Sequence, residues 1–145
     1  MSTLARAIAL ASEAHLDQRE KSGAPYIMHP IRVMLRMETE AEMMVAILHD
    51  VIEDTPWTFD QLHQEGFSEE VLEALDCVTR RSTETYAEFV DRARHNPLAR
   101  KVKLADLEDN MDVRRLPDIT AKSLDRLKKY HEAWLSLRAA ARVSP

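Results

Sequence analysis

Four groups that can bind a metal ion or transfer a proton lie within six consecutive residues. They are His49, Asp50, Glu53 and Asp54, and they follow directly on the apolar run Ala46-Ile47-Leu48. Neighbouring carboxylates repel one another and are costly to desolvate unless a cation or hydrogen bonds offset their charge. This cluster predicts a metal-assisted hydrolytic site.

The spacing of the four residues suits a helix. His49 and Glu53 are four residues apart, as are Asp50 and Asp54. If one helix continues through Asp54, the carboxylates of Glu53 and Asp54 lie on the same side of it as His49 and Asp50. A mixture of imidazole and carboxylate ligands suits a first-row divalent ion such as Mn²⁺, Fe²⁺ or Zn²⁺.

Two protein ligands are too few for a tight site, and the sequence offers two more candidates. His29 begins an otherwise apolar helical pattern, and Asp106 follows the mostly apolar run Val102 to Ala105, with Asn110 four residues later on the same side. Taken alone, His29 could be a hydrogen-bonded structural residue, and Asp106 could pair with a nearby basic side chain. Their joint occurrence with His49 and Asp50 favours the metal hypothesis.

Several polar groups have a structural interpretation, either as an alternative or as the preferred one. Glu53 and Asp54 could also be a solvated helix end, and Arg114-Arg115 offers only a weak hypothesis of phosphate contact. Single histidines without a second ligand nearby are taken as structural, and the basic pairs as solvated helix faces; these are His15, His63, His95 and His131, with Arg80-Arg81 and Lys128-Lys129.

The composition restricts the class of protein. The chain has 145 residues, 45% hydrophobic and 31% charged, which predicts one soluble domain over residues 1–145. The net charge of −5 argues against broad attraction to nucleic acid, although local basic groups could bind a phosphorylated small molecule. No apolar run reaches the roughly 20 residues that span a bilayer, and the N-terminus does not resemble a signal peptide. With a single cysteine, Cys77, a cytoplasmic location is expected.

Local signals predict an all-α fold without strands. Only two glycines are present, and helix-favouring residues are abundant. Capping residues mark four of the helix starts: Thr39, Thr58, Ser68 and Asn96, the last followed by Pro97. The predicted helices cover about 4–17, 28–37, 40 to the His49-Asp50 pair, 59–65, a stretch after Ser68, one around Tyr86 to Ala93, one after Pro97, and one from Asp118 or Thr120 to about Ala141.

These residues, in this order, resemble the HD superfamily of metal-dependent phosphohydrolases. Three longer segments resemble the hydrolase domain of RelA/SpoT homologues: Lys21 to Pro30, Leu48 to Thr55, and Lys103 to Asp106. The resemblance covers roughly residues 7–113. It implies a helical bundle that holds Mn²⁺ through His29, His49, Asp50 and Asp106. It also implies removal of the 3′-pyrophosphate from the alarmone (p)ppGpp by a stand-alone small alarmone hydrolase.

The resemblance assigns further roles around the metal. Glu53 and Asp54 would orient the attacking water and move protons, and Lys21 would bind a pyrophosphate oxygen. Ser22 and Asn110 would form hydrogen bonds with the substrate, while Lys103 would add positive charge. The expected partner is a small nucleotide, with no nucleic acid and no membrane, and the sequence predicts no oligomeric state.

Two motifs depart from the family pattern. Glu20-Lys21 stands where the family commonly has Arg-Lys, whose arginine packs on the guanine base. Leu107 and Asp109 replace the arginine and histidine of the family's Asp-Arg-Leu-His-Asn. Two alternatives therefore stay open: hydrolysis of another nucleotide, such as a 3′-phosphorylated cofactor or a nucleoside monophosphate, and a non-catalytic nucleotide-binding HD domain.

Overall fold

The computed structural model describes residues 1–143 and confirms the all-α prediction. In that part of the chain there is no strand, only one isolated antiparallel bridge between Arg19 and Pro25. The helices are α1 (Leu4–Ala14), α2 (Met28–Leu35), α3 (Glu40–Leu48), α4 (Val51–Asp54), α5 (Phe59–Gln64), α6 (Glu69–Val78), α7 (Tyr86–Arg94), α8 (Pro97–Asn110) and α9 (Ala121–Val143), with a 3₁₀ turn at Val113–Arg115. The single domain expected for residues 1–145 stays a prediction, since residues 144 and 145 lie outside the described range.

Side-chain caps begin the helices where the sequence predicted them. Thr39 and Thr58 form capping boxes, and Ser68 and Asn96 accept hydrogen bonds from backbone N–H groups in the first turns of α6 and α8. The Thr120 hydroxyl accepts a hydrogen bond from the Ser123 N–H at the start of α9. Each cap satisfies a backbone donor that the helix itself leaves free.

Helices α3 and α8 are the central elements. Four consecutive residues of α3, Val45 to Leu48, are fully buried, as expected for a helix packed on several sides. Helix α3 packs against α1, α2, α6 and α8, while α8 also packs against α7 and α9. The main core joins the first six helices and α8, and a second cluster of Val90, Leu107, Ala133 and Leu137 fastens α9 to α7 and α8. No helix in the described range is long and apolar enough to cross a bilayer.

The loop between α1 and α2 folds back on itself. The Glu20 N–H donates to the Ala24 carbonyl at 2.8 Å, and the Tyr26 N–H donates to the Gln18 carbonyl at 2.9 Å. Gly23 lies at the tip with a φ of 92°, a conformation that side chains disfavour. This tight return places Lys21 and Tyr26 beside the start of α2.

Candidate active site

Four side chains predicted as metal ligands converge at the centre of the bundle. The His29 Nε2 lies 2.9 Å from the Asp106 Oδ1 and 3.8 Å from the Asp50 Oδ2. The His49 Nε2 lies 3.1 Å from the Asp50 Oδ2 and 3.3 Å from the Asp106 Oδ1. The donors come from α2, from the segment between α3 and α4, and from α8, so the fold assembles the centre from three separate parts of the chain.

The helix before His49 does not continue through Asp54, so the condition attached to the helical spacing of the four groups is not met. Helix α3 ends at Leu48, His49 and Asp50 form a turn, and α4 begins at Val51. Asp50 has φ −105° and ψ 0°, outside the helical range. The turn lets Asp50 accept a hydrogen bond from the Tyr26 hydroxyl while it faces both histidines.

The two imidazoles are held so that their Nε2 atoms face the centre. The His49 Nδ1 donates to the Ala46 carbonyl at 2.6 Å, which fixes its proton on that nitrogen because a carbonyl only accepts. The His29 Nδ1 donates to the Asp109 carboxylate at 2.5 Å. Backbone or carboxylate partners on the remote nitrogen are the usual support of metal-binding histidines.

The charges within the centre stabilise one another. Burial alone would lower the pKa of His29 and His49, but the facing carboxylates more than offset burial and raise both values. Burial would raise the pKa of Asp50 and Asp106, but the neighbouring cations more than offset it. His49 lowers the pKa of Asp50, and Lys103 together with His49 lowers that of Asp106. His29, His49 and Asp50 each place one donor atom within 4.8 Å of the other two, and the Asp106 Oδ1 lies beside both imidazoles. Imidazole and carboxylate donors of this kind suit a first-row divalent cation, whose binding would displace the imidazole protons.

Glu53 and Asp54 lie at the solvent-exposed rim of this centre. The protein packed around Glu53 raises the pKa of its carboxyl, and the nearby charge of Asp50 raises it further. The pKa of Asp54 is raised by the same two causes. The Glu53 carboxylate also accepts a hydrogen bond from the backbone N–H of Arg80, which fixes the position of the carboxylate. A raised pKa is common in groups that accept and release protons during a reaction.

Two of the predicted substrate contacts bind Asp106. The Lys103 ammonium lies 2.9 Å from the Asp106 Oδ2, and the Asn110 amide donates to the Asp106 Oδ1 at 3.1 Å. The other two predicted contacts, Lys21 and Ser22, are exposed in the folded-back loop. Ser22 accepts only a long hydrogen bond, 3.4 Å, from the Ala24 N–H, and its substrate contact stays a prediction.

A cleft of about 320 Å³ opens beside the centre. Its wall combines basic, amide and aromatic groups, among them Lys21, Tyr26, His29, Asn110, Arg126 and Tyr130. Sequence reasoning did not select Arg126 and Tyr130, because both lie on α9, beyond the segments that carry the family resemblance. The cleft is large enough to receive part of a nucleotide next to the proposed metal position.

Two of the residues that depart from the family pattern, Glu20 and Asp109, meet in one group of charges. We term it the Glu20 cluster: Glu20, Arg32, Asp109 and Arg115. The Arg32 guanidinium lies 2.5 Å from the Glu20 carboxylate and 2.8 Å from that of Asp109. Arg115 pairs with Glu20 and lies 3.3 Å from the Asp109 Oδ2. Arg115, proposed from sequence as a phosphate contact, is therefore engaged inside the protein, and Arg114 pairs with Asp112. No short-range sequence signal marked this cluster, because its members are separated by up to 95 residues.

Comparison with known proteins places the chain in a family. A profile of the HD domain matches residues 7–131. A protein of Aquifex aeolicus named guanosine-3′,5′-bis(diphosphate) 3′-pyrophosphohydrolase is 31% identical over 118 residues, which cover 73% of this chain and 17% of that protein. A protein of the same name from Haemophilus influenzae is 46% identical over 76 residues, covering 49% of this chain and 11% of that protein. The chain thus spans less than a fifth of the length of these relatives.

A solved structure shares the fold. It is the structure of a metazoan orthologue of SpoT, a protein that hydrolyses ppGpp and plays a role in starvation responses. The TM-score is 0.77 at 25% sequence identity, with 92% of this chain and 84% of that chain covered. The profile match, the shared fold and the ordered convergence of His29, His49, Asp50 and Asp106 agree, and the chain belongs to the HD-domain family, among the RelA/SpoT homologues.

Proposed function

We propose that the protein is a metal-dependent hydrolase that removes the 3′-pyrophosphate of guanosine alarmones, converting ppGpp to GDP and pppGpp to GTP. One observation carries this proposal: two imidazoles and two carboxylates converge beside a cleft that is large enough for part of a nucleotide. Relatives that bear the name of this activity, and the ppGpp-hydrolysing structural neighbour, support the choice of substrate.

The proposed ligands are His29, His49, Asp50 and Asp106. A divalent cation held by them would supply an activated water and polarise a phosphoryl oxygen. In hydrolysis the water oxygen bonds to the phosphorus that is attached to the 3′ oxygen. The bond between this phosphorus and the 3′ oxygen breaks. One proton from the water ends on the 3′ oxygen, and pyrophosphate is released. In this proposal Glu53 and Asp54 accept and return that proton at the rim of the centre.

The cleft residues have positioning roles in the proposal. The Lys21 ammonium would bind a phosphate oxygen as a point charge. Asn110 and Lys103, both bonded to Asp106, would hold that carboxylate in place and add hydrogen-bonding capacity towards the substrate, with Ser22 as a further contact from the loop. Mn²⁺ is the proposed metal and the cytoplasm the proposed location, the latter consistent with a single cysteine and no disulfide.

The test is product analysis with ppGpp and Mn²⁺, together with the metal content of each variant. We expect GDP and pyrophosphate from the wild type, and loss of both bound metal and turnover in His49→Ala and Asp50→Ala. His63→Ala is the matched control, because His63 is exposed and its Nε2 lies 3.5 Å from the Glu69 carboxylate, not at the centre. Full metal occupancy and unchanged hydrolysis in both site variants would refute the proposal.

A second variant separates chemistry from metal binding. Glu53→Gln keeps the size of the side chain but removes its capacity to take a proton, so we expect normal metal content and strongly reduced turnover. Unreduced turnover in this variant would remove Glu53 from the proposed mechanism while leaving the metal centre intact.

One observation favours a second candidate, hydrolysis of a different nucleotide. Glu20 stands where the family's arginine packs on guanine, and its carboxylate is held by Arg32 and Arg115, with only 6% of the side chain exposed. A panel of nucleotides with Mn²⁺, including 3′-phosphorylated cofactors and nucleoside monophosphates, separates the two candidates. Tight nucleotide binding without turnover under several metals would instead indicate a non-catalytic domain.

A further inference from the structure

Two basic pairs interpreted from sequence as solvated helix faces each contribute one residue to the same aromatic ring. The Arg80 guanidinium carbon lies 5.8 Å from the centroid of the Tyr86 ring, and the Lys129 ammonium lies 4.5 Å from it. Arg80 lies two residues after the end of α6 and Lys129 lies on α9, so the fold brings together cations that are 49 residues apart in the sequence. Tyr86 is the first residue of α7, between them.

A third cation connects this group to the proposed metal centre. The Lys103 ammonium lies 4.8 Å from the centroid of Phe89, whose ring meets Tyr86 edge to face at 6.2 Å. The same ammonium binds the Asp106 carboxylate at 2.9 Å. On the other side, the backbone N–H of Arg80 donates to the Glu53 carboxylate. Arg80, Tyr86, Lys103 and Lys129, which we term the Tyr86 cluster, therefore border the centre on the side of Glu53.

Much of the positive charge of this cluster is not neutralised. Within residues 1–143, neither the Arg80 guanidinium nor the Lys129 ammonium has a carboxylate within 4.0 Å, whereas the neighbouring Arg81 pairs with Asp76 at 2.9 Å. In the same range, the hydrogen bond from the Arg80 guanidinium to the Glu84 carbonyl is long, 3.3 Å. The Tyr86 hydroxyl is buried and has no hydrogen-bond partner in the described structure. A buried hydroxyl without a partner is costly, and Arg80 and Lys129 are exposed, so the cluster offers an anion two accessible cations and a free hydroxyl donor.

We propose that the Tyr86 cluster is a phosphate-binding subsite that holds the terminal phosphate of the pyrophosphate group being released. The inference rests on the proposed function, because it assigns the leaving group of that reaction a place. The cluster adjoins the cleft through Tyr130, whose ring centroid lies 5.7 Å from the Lys129 ammonium and which also lines the cleft. The nucleoside would occupy the cleft on the Lys21 side, and the phosphate chain would extend past the metal towards Arg80.

The chemistry of the cluster suits a compact polyanion. The Lys129 ammonium is a flexible point charge, the Lys103 ammonium adds positive charge from its place beside Asp106, and an arginine guanidinium can bind two oxygens at once. A terminal phosphate carries the charge density needed to compete with the cation–π contacts to Tyr86, which contribute only about 0.5–1 kcal/mol each at exposed sites. The basic group is small and surrounded by an acidic chain, which favours a small phosphate compound over a long nucleic acid.

The test measures binding of inorganic pyrophosphate by calorimetry to the metal-loaded full chain, at constant free metal concentration. We expect the dissociation constant to rise about tenfold or more in Lys129→Gln and in Arg80→Gln, as for the loss of one charge-assisted hydrogen bond. Lys128→Gln is the matched control, because it removes the same charge from the adjacent exposed position of α9 and should change the constant less than about twofold.

Three results would overturn the subsite: no pyrophosphate binding by the wild type, equal constants in all variants, or equal losses in Lys128→Gln and Lys129→Gln. The proposed function is judged by a separate measurement, turnover of ppGpp by the wild type. Turnover together with unchanged pyrophosphate binding in Arg80→Gln and Lys129→Gln refutes the subsite alone. Selective loss of pyrophosphate binding in a protein that hydrolyses no alarmone supports the subsite and refutes the proposed function alone.

Discussion

At the scale of single residues, Asp109 shows how a departure from the family pattern is accommodated. The family has histidine at this position, whereas Asp109 accepts the Nδ1 proton of His29 and is held by Arg32 and Arg115. The carboxylate keeps the Nε2 of His29 directed at Asp50 and Asp106, and the Glu20 cluster keeps the carboxylate in place. Glu20, the other departure, is the shared partner of both arginines.

This arrangement predicts that Asp109 sets the metal affinity without touching the metal. In Asp109→Asn a neutral amide replaces the charged acceptor, and supporting partners of this kind typically contribute 10–100-fold to metal affinity. We expect the dissociation constant for Mn²⁺, measured by competition with a chelator, to rise by roughly that factor. Asp91→Asn, at an exposed aspartate that pairs with Arg94, should leave the constant unchanged. Equal affinities in both variants would show that Asp109 has no positioning role.

At the scale of elements, the sequence was most informative where the cause of structure is local. Thr39, Thr58, Ser68 and Asn96 begin helices in the structure because a side-chain oxygen needs only a donor two or three residues away. The interruption after Leu48 could not be predicted, since no glycine or proline marks it. Asp50 is held there by contacts with Tyr26 and His49, and the contact with Tyr26 spans 24 residues.

The connection between α6 and α7 depends on one partly buried ion pair, Arg92–Glu84, and this predicts a specific acid sensitivity. Arg92 bonds the Glu84 carboxylate and the carbonyls of Asp76 and Thr79. The hydrogen bond from Arg92 lowers the pKa of Glu84 to about 2, from an ordinary value of 4.5. Because the folded-state value is the lower one, the stabilisation is complete above about pH 4.5 and is lost as the pH falls towards 2.

Denaturant unfolding at several pH values checks this prediction. Glu84→Gln should be less stable than the wild type near neutral pH, and the difference should shrink towards zero as the pH approaches 2. Glu73→Gln, at an exposed glutamate on α6, should follow the wild type at every pH. A difference between Glu84→Gln and the wild type that does not depend on pH would contradict the proposed role of the ion pair.

At the scale of the whole molecule, the proposed ligands tie three distant parts of the chain together. His29 lies on α2, His49 and Asp50 lie after α3, and Asp106 lies on α8. These parts belong to the buried core. Leu48, Val102 and Ala105, which lie near the ligands in the sequence, are core residues. Metal binding therefore acts on the folded chain as a cross-link between elements and should raise global stability.

The expected stabilisation follows from mass action. At a free Mn²⁺ concentration of 100 times the dissociation constant, binding to the folded state alone contributes about 2.7 kcal/mol. For a chain of this size that corresponds to a rise in Tm of roughly 5–10 °C, measured by calorimetry with Mn²⁺ and with EDTA. Asp50→Ala should show no comparable rise. An equal rise in this variant would mean that the ion binds elsewhere.

The central claim is that water attacks the phosphorus attached to the 3′ oxygen of an alarmone at the centre formed by His29, His49, Asp50 and Asp106. Its most direct test is hydrolysis of ppGpp by the Mn²⁺-loaded protein in ¹⁸O-labelled water, with mass analysis of both products. The account predicts GDP without label and pyrophosphate carrying one ¹⁸O atom. Label in the nucleotide, release of single phosphates, or the absence of hydrolysis would contradict it.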